Sequence, residues 1–276
     1  MDISKLSYSK KDGIKKEKTL RSAPSIASYS DVASSFGDAP SGYQKPDGVI
    51  EPRLVFVISG GEKRERDFLR ELIKPKRIRS LRLIFLSEKG QGLQPYQMSA
   101  HWKDVWSKKT VSDGTNRFQL QDIDKVFLIS DVDEFYDQLA RILKEKDAND
   151  QAMWIISNPC FEIWLYYCYR NNPSVDLAEL KDLDADKRSK KLKNIGPDMV
   201  AGGLNPIRAF EVMETGILNS QSNYQIDENG IPLLYSTQMH LMAKDLLEIM
   251  ESHVQEFTRF RMENNAFRDQ FKKGDK

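Results

Sequence analysis

The chain has 276 residues, with 42 Lys and Arg against 41 Asp and Glu for a formal net charge of +1, and 39% of its residues are hydrophobic. That length is enough for one or two domains at ~100–200 residues each, and the balanced charge means that affinity for nucleic acid must come from local basic patches. No apolar run reaches the ~18–20 residues of a bilayer span and no apolar leader opens the chain, so a cytoplasmic location with no membrane partner is expected.

Residues 1–49 pass from a lysine-rich stretch (Lys5, Lys10, Lys11, Lys15, Lys16, Lys18) into Ser/Ala/Pro/Gly-rich sequence. Their apolar density is too low to repay an ordering cost of about 1–2 kcal/mol per residue, so this segment is expected to be a flexible arm. Residues 50–175 are expected to form the core, and 176–276 a helical C-terminal region packing on that core or on a partner.

Four β-branched and aromatic runs follow, at Leu54–Ile58, Leu81–Leu86, Val126–Ile129 and Met153–Ile156. Continuous apolar runs of this length predict strands buried on both faces. Helical spacing appears between them, at Phe68, Leu69, Leu72 and Ile73 and at Phe135, Leu139, Ile142 and Leu143. The stretch 87–124, with Trp102 and Trp106 four apart, reads as a loop followed by a helix. The fold class predicted is α/β, a mostly parallel sheet flanked by helices with a helical C-terminal extension. Beyond residue 160 helices are expected from Pro206 to Leu218 and from Ser236 to about Phe271. Cys160 and Cys168 lie eight apart in a helical stretch. Their Cα atoms would be ~12 Å apart at 1.5 Å per residue, too far for a disulfide, and two free thiols agree with a reducing compartment.

Open parallel sheets bind ligands at the carboxyl ends of their strands, and three of the four runs lead there to an acid. Ser59-Gly-Gly-Glu-Lys-Arg-Glu65 follows the first run, Ser130-Asp-Val-Asp-Glu134 the third and Ser157-Asn-Pro-Cys-Phe-Glu162 the fourth. At i,i+2 on an extended strand end, Asp131 and Asp133 would point to one side and repel unless a divalent cation lay between them. Hard oxygen donors suit Mg²⁺ or Mn²⁺, while the same motif also serves as a turn or a helix cap. Glu65 is expected in the first turn of a helix after the Gly60-Gly61 turn, where it reaches the same edge or complements the helix dipole. Asn158-Pro159 reads as a cap with Pro at N1, which places Glu162 in a first helical turn. Basic side chains that could meet phosphate are Lys63, Arg64, Arg66, Lys76 and Arg77, with a further basic run from Lys187 to Lys193. No Gly-x-x-x-x-Gly-Lys-Ser/Thr loop occurs, so nucleotide-driven work would need a separate subunit.

Gly-Glu-Lys-x-Glu-x-x-Phe from Gly61, Asp-x-Asp-Glu from Asp131 and Ser-Asn-Pro-Cys-Phe-Glu-Ile-Trp from Ser157 resemble the RloB-like family over roughly residues 53–255. The resemblance implies a Toprim-type fold and a metal-dependent nuclease acting on tRNA or DNA as effector of a bacterial antiphage or abortive-infection system. It also implies a separate ATPase partner and is compatible with a homodimer. By the same resemblance Glu65 is a general acid or base and, with Asp131 and Asp133, a ligand of Mg²⁺ or Mn²⁺, and Glu162 joins them as a catalytic acid. The sequence departs from the family pattern at Arg64, where threonine is usual, at Gly60, where an acid is common, and at Cys168, where histidine is frequent. The alternative from a different class is a catalytically silent Toprim-like scaffold that binds nucleic acid or an ATPase.

Overall fold

A computed structural model describes residues 53–73, 81–87, 92–112, 116–145, 150–252, 254–255 and 262. The expected arm at 1–49 and the expected helix beyond residue 255 lie outside the described residues, apart from Met262.

The four apolar runs are the four strands of one parallel sheet: β1 (Arg53–Ser59), β2 (Leu81–Leu86), β5 (Lys125–Asp131) and β6 (Ala152–Ser157), in the order β2-β1-β5-β6. The runs of β1, β5 and β6 are continuous because the sheet is covered on both faces there, whereas β2, at the edge, carries the exposed Arg82. Val55, Val57, Phe127, Ile129 and Ile155 point into one core, whereas Leu54, Phe56, Ile58, Val126, Leu128, Trp154 and Ile156 point into the other. The second core is closed by helix α2 (Pro95–Lys108) through Met98 and Trp102, and by α3 (Tyr136–Lys144) through Leu139 and Ile142. A short hairpin, β3 (Thr110–Ser112) and β4 (Arg117–Gln119), lies between α2 and β5 in the chain. Three-residue strands carry too little periodicity to be read from sequence, so the stretch 87–124 shows there only a loop and a helix.

Helix α1 (Arg64–Leu69) and the 3₁₀ turn Arg70–Ile73 return the chain from β1 and bury Phe68, Leu69 and Leu72 in the first core. The Phe68 ring meets Phe161, Trp164 and Phe210 edge-on at centroid distances of 6.0, 6.0 and 5.4 Å. Helix α4 (Glu162–Tyr167) is buried all round, as expected for a helix with no polar face. The helical region follows as α5 (Pro173–Asp176), α6 (Ala185–Met199), α7 (Pro206–Glu211) and α8 (Met213–Ser222). Gly216 lets α8 approach α4, since a Cβ there would lie 2.8 Å from Cys168 Sγ and 2.9 Å from the Trp164 ring.

Two expected helices have different limits. The one expected over Pro206–Leu218 is two helices, α7 and α8, because Val212 leaves helical geometry at φ −113 and ψ 26. The terminal helix begins at 239 instead of Ser236. The residues before it are engaged along β6, where Thr237 bridges Ser157, the Gln238 side chain accepts from Ile156 N–H at 3.0 Å and the Gln238 N–H donates to Ile156 O at 2.9 Å. This segment bonds to the β6 edge, so its backbone groups are satisfied without helix.

Candidate functional site at the carboxyl ends of β1, β5 and β6

From β1 the chain turns outward to β2, and from β5 it turns the opposite way to β6, so the crevice between β1 and β5 is a topological switch point. The two strands run in register to their ends, with Ser59 opposite Ile129 and Gly60 N–H donating to Ile129 O at 2.9 Å. Local sequence then delivers one acid from each side. Gly61 passes directly beneath Glu65 in the first turn of α1, and a Cβ at Gly61 would lie 2.0 Å from a Glu65 carboxylate oxygen. Asp131 is the last residue of β5, and its Oδ1 accepts from Phe161 N–H at 2.8 Å where the chain enters α4.

Asp133 is not on an extended strand end, which corrects the i,i+2 strand geometry read from the sequence. Its φ of 26° is left-handed, a conformation that Asp adopts more readily than most residues. The backbone leaves the sheet here because Val132 N–H bonds Ser157 O at 2.9 Å and Asp133 N–H reaches Pro159 O at 3.4 Å. The Asp133 carboxylate accepts a short hydrogen bond from the Ser189 hydroxyl. The cap reading fails for α3, whose N-cap is Phe135 with no side-chain hydrogen bond. Asn158 is not a cap either: its Nδ2 donates to Pro232 O at 2.8 Å, the Asn158–Pro159 peptide is cis, and α4 starts at Glu162.

Glu162 is buried and carries two cations, Arg64 Nε at 3.3 Å from one carboxylate oxygen and Lys193 Nζ at 3.8 Å from the other. Cys160 is also buried against this cluster, and burial first, then the charges of Glu162 and Asp131, push its thiol well above the ordinary value. Both cysteines are free, as their spacing predicts.

The carboxylates sense one another. Burial, reinforced by Glu162, pushes Glu65 up from 4.5 to about 7, against the pull of a backbone hydrogen bond and of Lys193 and Arg64. Burial raises Asp131 well above the usual range, and Glu65, Glu162 and Asp133 add to it. Asp133 is pushed to about 6, again by burial first, with Ser189 and Lys193 opposing. Burial alone would lower Lys193, yet the charges of Glu162, Cys160, Asp131 and Asp133 outweigh it and hold the ammonium above the ordinary lysine value.

Oxygen-only donors whose negative forms are destabilised by burial and mutual repulsion are the chemistry that a hard divalent ion relieves. In kind, the donor set of Glu65, Asp131 and Asp133 fits Mg²⁺ or Mn²⁺. Among the described residues no three acid, His or Cys side chains are drawn together as a ready-made cage.

The basic side chains divide. Lys63 and Arg64 line a cavity of about 300 Å³ together with Lys193. Arg66 turns toward β2, donating to Ser87 Oγ at 3.2 Å with its guanidinium 5.1 Å from the centre of the Phe85 ring. Lys76 and Arg77 lie outside the described residues. Ser189 and Lys193 carry no individual mark in the sequence, where they fall within a charged run. The structure places that run on α6, with Ser189, Leu192, Lys193 and Gly196 at i, i+3, i+4 and i+7 along one side.

A family model described as RloB-like protein matches residues 55–246, well over half of the chain. The chain belongs to the RloB-like family. No curated protein and no solved structure matches it. The RloB-like span takes in Glu65, Asp131, Asp133 and Glu162 as well as Ser189 and Lys193, so the sheet edge and α6 both fall within the family's own region. Among the described residues no helix is long and apolar enough to cross a membrane.

Proposed function

We propose that this RloB-like chain is a metal-dependent nuclease that hydrolyses phosphodiester bonds of tRNA or DNA as the effector of an antiphage or abortive-infection system, with a separate ATPase subunit. The observation that carries the reading is that Glu65 and Asp131 border the β1–β5 switch point with Asp133 just beyond β5, each carboxyl pushed upward first by burial, Glu65 also by the charge of Glu162 and Asp131 also by the charges of Glu65, Glu162 and Asp133. Carboxyls shifted upward together by burial and by like charge are a pattern that concentrates at functional sites.

Glu65, Asp131 and Asp133 would hold Mg²⁺ or Mn²⁺. Such an ion supplies Lewis-acid polarisation of a phosphoryl oxygen and a lowered pKa for a nearby water. The residues of the chain supply the rest. Glu65, titrating near neutrality, is suited to accept or return a proton at its carboxylate oxygens. Asp131 is locked in orientation by Phe161 N–H, and Asp133 by Ser189. Lys63, Arg64 and Lys193 provide the positive charge that lets a polyanion approach an acidic cluster.

The Arg64–Glu162 ion pair favours the second reading, a silent scaffold, because it places a cation where the family usually has threonine. One experiment separates the two: incubation of the purified chain with labelled tRNA, single-stranded DNA and duplex DNA, with Mg²⁺, Mn²⁺ or EDTA. The nuclease reading expects cutting that needs the cation and is lost in Glu65→Gln and Asp131→Asn. Cutting that survives exhaustive chelation overturns the metal mechanism, and binding without cutting under every condition leaves the scaffold.

A further inference from the structure

Glu162 raises the other three acids through its charge, but it differs from them in being paired with two cations. Its carboxylate side chain is 3% exposed and engages Arg64 and Lys193, whose side chains remain 38% and 45% exposed. A buried carboxylate with two half-exposed cations is already more than neutralised, so it is poorly suited to bind a further positive ion. The free faces of those two cations open instead on the cavity of about 300 Å³ that they share with Lys63, Asp67 and the loop Gly202–Pro206. Gly196 shapes its wall. A Cβ there would press on Leu204 at 3.0 Å, so glycine is what lets α6 lie close against this loop and bring Lys193 to the mouth.

None of Glu65, Asp131 and Asp133 lines this cavity, which adjoins the acidic cluster through Glu162 and Lys193. The acids repel a phosphate, and the two cations attract one.

Resting on the nucleic-acid reading above, we infer that Glu162 is a positioning residue that holds Arg64 and Lys193 as a two-cation clamp for the backbone phosphate adjacent to the one that reacts. The clamp joins the sheet, through α1 and α4, to the helical region, through α6, so substrate entry depends on α6 being docked. It also gives Arg64 a role that threonine at the same position could not perform, since a hydroxyl carries no charge for Glu162 to hold.

The test measures binding with no cutting. Fluorescence anisotropy of the full chain with a fluorescein-labelled single-stranded DNA or RNA 12-mer is recorded in EDTA over a salt series. One phosphate contact contributes a slope of ~0.7–0.9 in log affinity against log salt. Arg64→Ala and Lys193→Ala should therefore each weaken binding about five- to eightfold at 0.1 M salt and flatten the slope by roughly one. Lys193→Arg should restore most of the loss. Glu162→Gln decides the role. Removing a negative charge near a polyanion strengthens binding if only charge matters, whereas loss of the clamp weakens it about fivefold, and the effect disappears in the Arg64→Ala, Lys193→Ala background. Melting curves of each variant verify folding, and Glu162→Asp, which keeps the charge, serves if Gln does not fold.

Equal or tighter binding by folded Glu162→Gln, or unchanged binding by Lys193→Ala, overturns the inference. Inorganic phosphate that competes at the same concentration as oligonucleotide phosphate would mark a free-anion site and overturn the nucleic-acid assignment. Because the assay is blind to catalysis, a chain that shows these binding losses but never cuts loses the nuclease reading and keeps the clamp only as a binding site for a backbone phosphate.

Discussion

Neutralising Glu65 should stabilise the metal-free protein at alkaline pH and do nothing at acid pH. Glu65 is 6% exposed, and its carboxyl is pushed from 4.5 to about 7, chiefly by burial, with Glu162 reinforcing it. A carboxyl whose folded pKa exceeds its unfolded value binds its proton more tightly in the native state. Its contribution to stability is fully present below pH 4.5 and is lost as the pH rises through 7. At about 1.36 kcal/mol per pKa unit, the ionised carboxylate costs the fold on the order of 3 kcal/mol at pH 8. Gln preserves the shape and removes the charge. For a domain of this size about 1 kcal/mol moves the melting temperature by roughly 2–4 °C, so Glu65→Gln should melt about 6–12 °C above the parent at pH 8 in EDTA. The two curves should converge as the pH approaches 4.5. Mg²⁺ at ~100 times its dissociation constant should return about 2.7 kcal/mol to the parent and much less to the variant. Differential scanning fluorimetry from pH 4.5 to 8.5, with and without Mg²⁺, reads all of this. A variant that melts below the parent at pH 8, or by a margin that does not change with pH, refutes the claim that Glu65 is a strained, buried acid.

Asp131→Asn should keep the acceptor for Phe161 N–H and melt at or above the parent in EDTA, whereas Asp131→Ala orphans that N–H at a cost of about 1–3 kcal/mol; denaturant titration of the pair separates charge relief from hydrogen-bond loss. Gly61→Ala would place a Cβ 2.0 Å from the Glu65 carboxylate, which must swing aside. Because the displaced group is the end of a flexible side chain, we expect a small change in melting temperature but a loss of cutting of up to about 10²-fold, measured as single-turnover rates. Phe68→Ala removes the ring shared by Phe161, Trp164 and Phe210 and should cost about 3–5 kcal/mol in urea unfolding.

Much of the scaffold was legible because burial leaves a local mark. β1, β2, β5 and β6 lie in one sheet packed between two cores, so each shows as an apolar run, broken in β2 only by the exposed Arg82, and the acids just beyond three of them mark the ligand edge. Other elements left no such mark. The β3–β4 hairpin has three residues per strand. Helix α6 hides within a basic run, with Leu192 its one wholly buried large apolar side chain among the described residues. The turn that takes Asp133 out of strand geometry is set by backbone bonds to Ser157 and Pro159, which are distant in the chain.

The order of apolar runs and turn glycines determined the α/β class, the switch-point edge and the acids that border it, since hydrophobic periodicity and glycine turns act over neighbouring residues. Only the tertiary structure decided that Glu162 pairs with Arg64 and Lys193 while its charge acts on Glu65, Asp131 and Asp133, and that Ser189 holds Asp133. Those pairings join residues from separate elements, and charge interactions depend on distance in space and on burial, neither of which any local stretch of sequence records.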